Sequence, residues 1–146
     1  SHGRREVAYK DFHLDYKKSV LRSDEIIESV FIPRNQGITK HFYRKVGTRS
    51  FQSISKIGFS AVAKMDQHNI LWARIALASM GPKPLLTEKT NTFLHNKVWT
   101  SELASEARAI FESEIHPIDD IRSTGAYRKN VSANLLEEFV RCLITK

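Results

Sequence analysis

Two cations flank a glycine at the end of a predicted strand, and this arrangement is the sequence's clearest capacity for chemistry. Lys45 and Arg49 lie in the segment KVGTR, with Gly47 between them. An ammonium and a guanidinium at a strand end can contact a flavin ring carbonyl, a phosphate or a partner carboxylate. The same spacing also fits two solvated loop charges, because charged side chains are mostly exposed.

Motifs for nucleotide, metal or nucleophile chemistry are missing from the sequence. It contains no GxGxxG, Walker A, CxxC, HExxH or GxSxG pattern, and its six histidines lack metal-ligand spacing. Cys142 is the only cysteine and has no identifiable base, which indicates a buried or incidental thiol. Asp119 and Asp120 precede a predicted helix, where carboxylates favour capping, and Arg122 and Arg128 can pair with them. We therefore expect no catalytic residue and no metal site.

Composition and charge limit the possible classes of protein. A chain of 146 residues with 41% hydrophobic content can bury a core as one domain. Its net charge of +7 favours an anionic partner, such as nucleic acid, a phosphate-bearing cofactor or an acidic protein, but also fits a solvated basic surface. The single cysteine fits a reducing, cytoplasmic setting, and no apolar run is long enough to predict a membrane span. The chain begins with Ser1 rather than Met, so we expect an excised fragment.

Hydrophobic periodicity predicts strands first and helices last. Strands are predicted at 26–32, closed by Pro33, and at 39–46, 56–65 and 70–79, with a hairpin loop at 66–69. Alternation in the second strand places Phe42, Arg44 and Val46 on one face and His41, Tyr43 and Lys45 on the other. Gly47 ends that strand, where we expect a positive φ.

Beyond the Gly- and Pro-rich segment 81–84 the apolar spacing becomes helical. Helices are predicted from Thr87 to about His95, from Thr100 or Ser101 to Ile115, and from about Ser123 or Thr124 to Leu143. The predicted fold is α+β, with an antiparallel sheet of three to four strands covered on one face by about three helices, an α+β sandwich.

Several short segments occur in an order that resembles a known family. They are residues 23–27 (SDEII), 31–33 (FIP), 43–49 (YRKVGTR), 115–122 (IHPIDDIR) and 127–128 (YR). Together they resemble the C-terminal domain of the FAD-binding, medium subunit of molybdenum hydroxylases, the xanthine dehydrogenase and carbon monoxide dehydrogenase flavoprotein family. The similarity runs from about Gly3 onward.

The resemblance implies a role in a larger oxidoreductase. Residues 1–146 would form a single domain that completes a flavin pocket for electron transfer from [2Fe-2S] clusters to NAD or another acceptor, and that is inactive by itself. FAD would be shared with an N-terminal FAD domain of the same polypeptide, absent here, while partner subunits or domains hold the molybdenum cofactor and the clusters. By this resemblance the cofactor-binding residues are Ile27, Lys45 and Arg49. Lys45 matches the family lysine that lies against the flavin, Ile27 matches an apolar residue that packs on the cofactor, and Arg49 matches a neighbouring arginine that shapes the electrostatics at the ring. No membrane partner is implied.

A second interpretation is a basic α+β nucleic-acid-binding module. It would use the aromatic and basic strand 41–45 to bind a polyanion in a salt-dependent manner. Alternation leaves only Tyr43 as an aromatic on the face shared by His41 and Lys45, which is a poor stacking surface. We therefore favour the flavoprotein interpretation.

Overall fold

A computed structural model of the protein describes residues 3–34, 37–49 and 52–144. The chain divides into two compact units, residues 1–34 and residues 35–146. The smaller unit contains a short hairpin, and the larger unit contains the main sheet and the helices that pack on it. Among the described helices, none combines the length and the apolar character needed to cross a membrane.

The smaller unit begins with a helical turn and a minimal hairpin. Helix α1 (Tyr9–Phe12) leads into strand β1 (His13–Asp15), which pairs antiparallel with β2 (Lys18–Ser19). Lys17 adopts a φ of 54° in the turn between the strands. None of its described residues is buried, so polar contacts must contribute much of its order.

An ion pair at the centre of the smaller unit joins its beginning to its end. The Arg5 guanidinium donates to both carboxylate oxygens of Glu25, at 2.7 and 2.6 Å, and to the Val20 carbonyl at 2.7 Å. The Glu25 carboxylate also accepts from the backbone N–H of Arg22 at 2.8 Å. The Arg5 hydrogen bonds, followed by the Arg22 N–H, lower the pKa of Glu25 to about 2. The carboxylate is therefore charged, and the pair formed, across the neutral range.

The predicted strand at 26–32 is wrong. These residues have no strand pairing among the described residues, although they are rich in β-branched and aromatic side chains. Such side chains fit a pleated surface, but a strand forms only where a neighbouring edge accepts and donates its backbone hydrogen bonds.

The larger unit is built on an antiparallel meander whose strands were predicted to within about two residues. Strands β3 (Lys40–Val46), β4 (Ile57–Asp66) and β5 (Asn69–Ala78) lie in that order. Two-residue strands β6 (Leu85–Leu86) and β7 (Lys97–Val98) both pair with β5, which makes a five-stranded sheet.

The turn between β4 and β5 is tighter than the predicted loop at 66–69. Asp66 pairs directly with Asn69, so only Gln67 and His68 lie between the strands, and Gln67 has a φ of 52°. A register shift between Lys64 and Met65 changes the alternation at the start of β5. In consequence Ile70 is fully buried there, whereas the next residue, Leu71, is only partly buried.

The helices follow the sheet as predicted. They are α2 (Glu88–Leu94), α3 (Leu103–Glu114) and α4 (Gly125–Cys142). The Thr124 hydroxyl accepts from the N–H of Tyr127 at 3.2 Å, and the Thr100 hydroxyl accepts from the N–H of Leu103 at 3.2 Å, as expected of capping residues.

Helix α2 is joined to the sheet rather than capped by its own threonine. Thr87 makes no side-chain cap, and instead its N–H and hydroxyl both donate to the Ile75 carbonyl, at 3.1 and 3.2 Å. The Asn91 side-chain oxygen accepts from the Ile75 N–H at 2.9 Å. These contacts satisfy both backbone groups of Ile75 at an edge of β5.

The core lies between one face of the sheet and the helices. Alternate residues of β4 and β5 are buried against α3 and α4, and phenylalanine rings from both layers meet at its centre. Their ring centroids are 5.7 Å apart for Phe42–Phe59, 5.9 Å for Phe42–Phe139 and 6.4 Å for Phe59–Phe111. This two-layer arrangement confirms the predicted α+β sandwich.

The missing cap of α2 is supplied by Glu114, at the end of α3. Its carboxylate accepts from the N–H groups of Lys89 and Thr90, at 2.8 and 3.0 Å, and from the Thr90 hydroxyl at 2.9 Å. We expect Glu114→Gln to lower the free energy of unfolding by about 1 kcal/mol, because an amide keeps only one acceptor oxygen. Chemical denaturation would measure this. Glu106→Gln is the control, since Glu106 is an exposed acid of α3 without a side-chain partner among the described residues; equal losses in both variants would contradict the capping role.

Candidate functional site

Strand β3 presents two different faces, as its alternation predicts. Phe42 is buried, and the Arg44 guanidinium lies 4.3 Å from the centre of its ring and 2.6 Å from the Glu138 carboxylate on α4. Tyr43 and Lys45 lie on the opposite face and are exposed. The charge of Arg44 is therefore used within the fold, whereas that of Lys45 is directed to the open face of the sheet.

The cross-strand neighbours of Lys45 have small side chains or none. Lys45 pairs with Gly58 of β4, which pairs in turn with Ala78 of β5. The next row on the same face runs from Tyr43 through Ser60 to Ala76. Because Gly58, Ala78, Ser60 and Ala76 are small, a planar group can approach this part of the sheet next to the Lys45 ammonium.

Lys45 makes no hydrogen bond or ion pair with any residue that the structure describes. Its ammonium is a strongly hydrated point charge with three donors. An unpaired cation on an open face costs the fold nothing to leave solvated, and it remains available to an anion or to a carbonyl oxygen.

Gly47 is required for a reason different from the expected one. It does not adopt a positive φ. A Cβ atom at this position would overlap the Oγ atom of Ser53, whose hydroxyl donates to the Arg49 carbonyl at 3.1 Å. The glycine therefore permits close approach of the two sides of the loop after β3, which is a steric rather than a conformational requirement.

Arg49 is partly engaged by its own loop. Its guanidinium donates to the Gln52 carbonyl at 2.8 Å, and Gln52 has a φ of 49°. This contact uses one of the five N–H groups of the guanidinium, and the remaining groups have no acceptor in the part of the chain that the structure describes. Lys45 thus lies at the end of β3, and Arg49 lies in the loop that follows it.

Ile27 lies in the smaller unit, within the predicted strand that has no sheet partner. Its side chain is 56% exposed. An apolar side chain that open is suited to packing against a ligand or another protein surface.

The ion pair between Arg128 and Asp120 is attached to the end of β5, next to Ala78. This attachment was not predicted from the sequence. Arg128 in the first turn of α4 is fully buried, donates to the Asp120 carboxylate at 2.6 Å and donates to the Ser79 carbonyl. Ser79 directly follows Ala78 and has a φ of 67°. The pairing of Arg128 with Asp120 was predicted, but its attachment to the end of β5 has no signal in the sequence.

The two carboxylates before α4 act as predicted, in capping and pairing. Asp119 accepts from the N–H of Gly125 at 2.5 Å, and Asp120 accepts from the N–H groups of Arg122 and Ser123 at 2.8 and 3.1 Å. The Arg128 hydrogen bond, followed by the Arg122 N–H, lowers the pKa of Asp120. Both groups are committed to the fold.

Comparison with known proteins decides the family. The model of the CO dehydrogenase flavoprotein C-terminal domain matches residues 41–143, which include β3 with Lys45, the loop with Arg49 and the whole core. The chain belongs to this family. Xanthine dehydrogenase 1 of Arabidopsis thaliana, an oxidoreductase, is 30% identical over 115 residues, which are 76% of this chain and 8% of that protein.

Solved structures share the fold of this flavoprotein C-terminal domain. Quinoline 2-oxidoreductase of Pseudomonas putida 86 matches with a TM-score of 0.84 and 21% identity, over 97% of this chain and 48% of that one. A carbon monoxide dehydrogenase of Hydrogenophaga pseudoflava that lacks the Mo-pyranopterin moiety matches with a TM-score of 0.81 and 20% identity, over 90% and 46%. The chain thus spans about half the length of these solved relatives, and far less of the plant enzyme.

Proposed function

We propose that this domain completes, from one side, the FAD site of a xanthine dehydrogenase-like molybdenum hydroxylase. The observation that carries the proposal is Lys45, an exposed cation without a partner among the described residues, at a strand end within the matched flavoprotein domain. Lys45, Arg49 and Ile27 are the residues proposed to contact the cofactor.

The residues present fit a flavin. Gly58 and Ala78 leave a low surface beside Lys45 that a flat ring system can approach, and the ammonium can donate to a ring carbonyl or a phosphate oxygen. Arg49 adds a second cation at the same strand end, with N–H groups left over from its contact with Gln52. Ile27 offers an exposed apolar side chain for packing on a ring. A bound flavin would supply the two-electron and one-electron chemistry that links iron–sulfur clusters to NAD or another acceptor.

The rest of the assembly is proposed from the relatives. The chain spans about half the length of the solved relatives, so we propose an N-terminal FAD domain in the same polypeptide that supplies most of the cofactor contacts. Partner subunits or domains would hold the molybdenum cofactor and the [2Fe-2S] clusters. The isolated residues 1–146 would then be inactive, and the single cysteine suits assembly in the cytoplasm.

A visible absorption spectrum tests this proposal. The complete natural polypeptide that contains residues 1–146 is purified, desalted and compared with a version that lacks these residues. We expect flavin bands in the first and their loss in the second, with the protein still folded by circular dichroism. A colourless polypeptide that co-purifies with nucleic acid would contradict the flavin site and favour the basic-surface interpretation.

A further inference from the structure

The smaller unit exposes an apolar-rich segment, residues 26–32, in which Glu28 and Ser29 are the polar residues. The exposed fractions of its apolar side chains are 88% for Ile26, 56% for Ile27, 74% for Val30, 87% for Phe31 and 80% for Ile32. Single exposed apolar residues are normal on a protein surface, but a contiguous group of large ones marks an interaction site.

The order of residues in this segment specifies the kind of surface it needs. In an extended strand, Ile26, Val30 and Ile32 would lie on one side with Glu28, and Ile27 and Phe31 would lie on the other with Ser29. Apolar side chains on both sides are typical of a strand inside a sheet that is covered on both faces. Pro33 lacks an N–H, which ends the ladder at the C-terminal side of the segment.

The start of the segment is already held in place. The Arg4 guanidinium donates to the Glu28 carboxylate at 2.7 Å, and the Arg5–Glu25 pair fixes the residues just before Ile26. Two arginines thus anchor the N-terminal half of a segment whose backbone has no ladder within the described residues. A segment held in this way can add a strand to the edge of an existing sheet.

We propose that residues 26–32 form a strand in a sheet of the flavin-binding half that the solved relatives carry in addition to this domain; this rests on the proposed function. The match to the family domain begins at residue 41, so the segment lies outside it. The match to quinoline 2-oxidoreductase covers 97% of this chain, so at least part of the segment has a counterpart there, in a chain about twice as long. The occupant is therefore a sheet of the other half of the polypeptide.

Amide hydrogen exchange, read by mass spectrometry, tests the proposal. Peptides covering 26–32 are followed in residues 1–146 alone and in the complete natural polypeptide. We expect near-intrinsic exchange in the first and at least about 100-fold slower exchange in the second, because ladder hydrogen bonds protect amides in a stable sheet. Fast exchange in both proteins would overturn the proposal.

A matched pair of variants separates this surface from general hydrophobicity. Phe31→Asp is expected to leave the melting of residues 1–146 unchanged and to abolish the protection of 26–32 in the complete polypeptide. Ile121→Asp is the control, since Ile121 is a fully exposed apolar residue of the larger unit, and it should change neither. Normal protection in Phe31→Asp would overturn the assignment.

The remaining outcomes distinguish the other occupants and the other proposal. Protection of 26–32 in residues 1–146 that rises with protein concentration would show a second copy on this segment, and would overturn the inference. Protection in a complete polypeptide that has no flavin bands would support the strand and contradict the proposed flavin site. Flavin bands together with fast exchange of 26–32 would support the proposed flavin site and overturn the strand.

Discussion

Replacing Arg128 with methionine is expected to lower the free energy of unfolding by about 3 kcal/mol. Arg128 is 1% exposed and donates to the Asp120 carboxylate at 2.6 Å and to the Ser79 carbonyl. Methionine fills much of the same space, so the loss measures the polar contacts rather than a cavity. The variant removes the side-chain donor of the Ser79 carbonyl and the guanidinium partner of the Asp120 carboxylate, which keeps its bonds from the Arg122 and Ser123 N–H groups.

Urea denaturation, followed by circular dichroism, measures this loss. Arg122→Met is the matched control, because the Arg122 guanidinium lies 3.5 Å from the same carboxylate but its side chain is 44% exposed. Exposed pairs contribute little, so the control should lose less than about 1 kcal/mol. Equal losses in the two variants would show that charge at Asp120, and not burial of Arg128, stabilises this corner.

The same pair predicts a pH dependence. Arg128 lowers the pKa of Asp120 in the folded protein, so the carboxylate contributes stability that is fully present above the unfolded pKa of about 4. This contribution is lost as the pH falls through the lower, folded pKa. The stability gap between the wild type and Arg128→Met should therefore be widest near pH 7 and narrower near pH 2. A gap that is constant over this range would contradict a role for the Asp120 charge.

The meander and helices could be predicted from the sequence because the spacing of apolar residues within each element indicates its type and its buried face. In β4, alternation of Ile57, Phe59 and Ala61 fixes both the strand and its buried face. In α4, a four-residue spacing from Val131 to Leu143 defines the stripe that packs on the sheet. These patterns lie within single elements, so they can be recognised without knowledge of the tertiary structure.

The failures lie where a residue's partner is distant in the sequence, or where no described residue pairs with the segment. The segment 26–32 has the composition of a strand, yet no described edge pairs with it. Glu114 caps a helix whose first residues lie some 25 positions earlier, and Arg128 reaches a carbonyl 49 positions away. Neither distance follows from periodicity, because side-chain contacts between elements depend on how the layers dock.

The candidate site likewise has a part that the sequence predicts and a part that only the structure shows. The spacing of Lys45 and Arg49 identified the two cations, and alternation correctly put Lys45 on the open face. The low surface beside Lys45 depends on the register that aligns it with Gly58 and Ala78. A one-residue slip would place larger side chains there, so this part of the site required the structure.

Replacing Lys45 with methionine in the complete natural polypeptide is expected to weaken FAD binding about tenfold, equivalent to about 1.4 kcal/mol. Methionine keeps the apolar stem but removes the ammonium, and with it a charge-assisted hydrogen bond to the cofactor. The potential of the bound flavin should also fall, because a cation beside the ring favours the reduced, more negatively charged state. Flavin release on dilution and a redox titration measure the two effects.

Two further variants decide whether the effect is local to Lys45. Lys45→Arg retains the charge and should restore most of the potential, whereas Lys83→Met removes an exposed lysine from the turn after β5 and should leave both quantities unchanged. Lys45→Met should not alter the stability of residues 1–146, since its ammonium contacts none of the described residues. If binding and potential are unchanged while the fold is intact, Lys45 does not face the flavin. If Lys83→Met changes FAD binding and flavin potential as much as Lys45→Met does, the effect comes from net charge. Lys45 would then not be part of the flavin site.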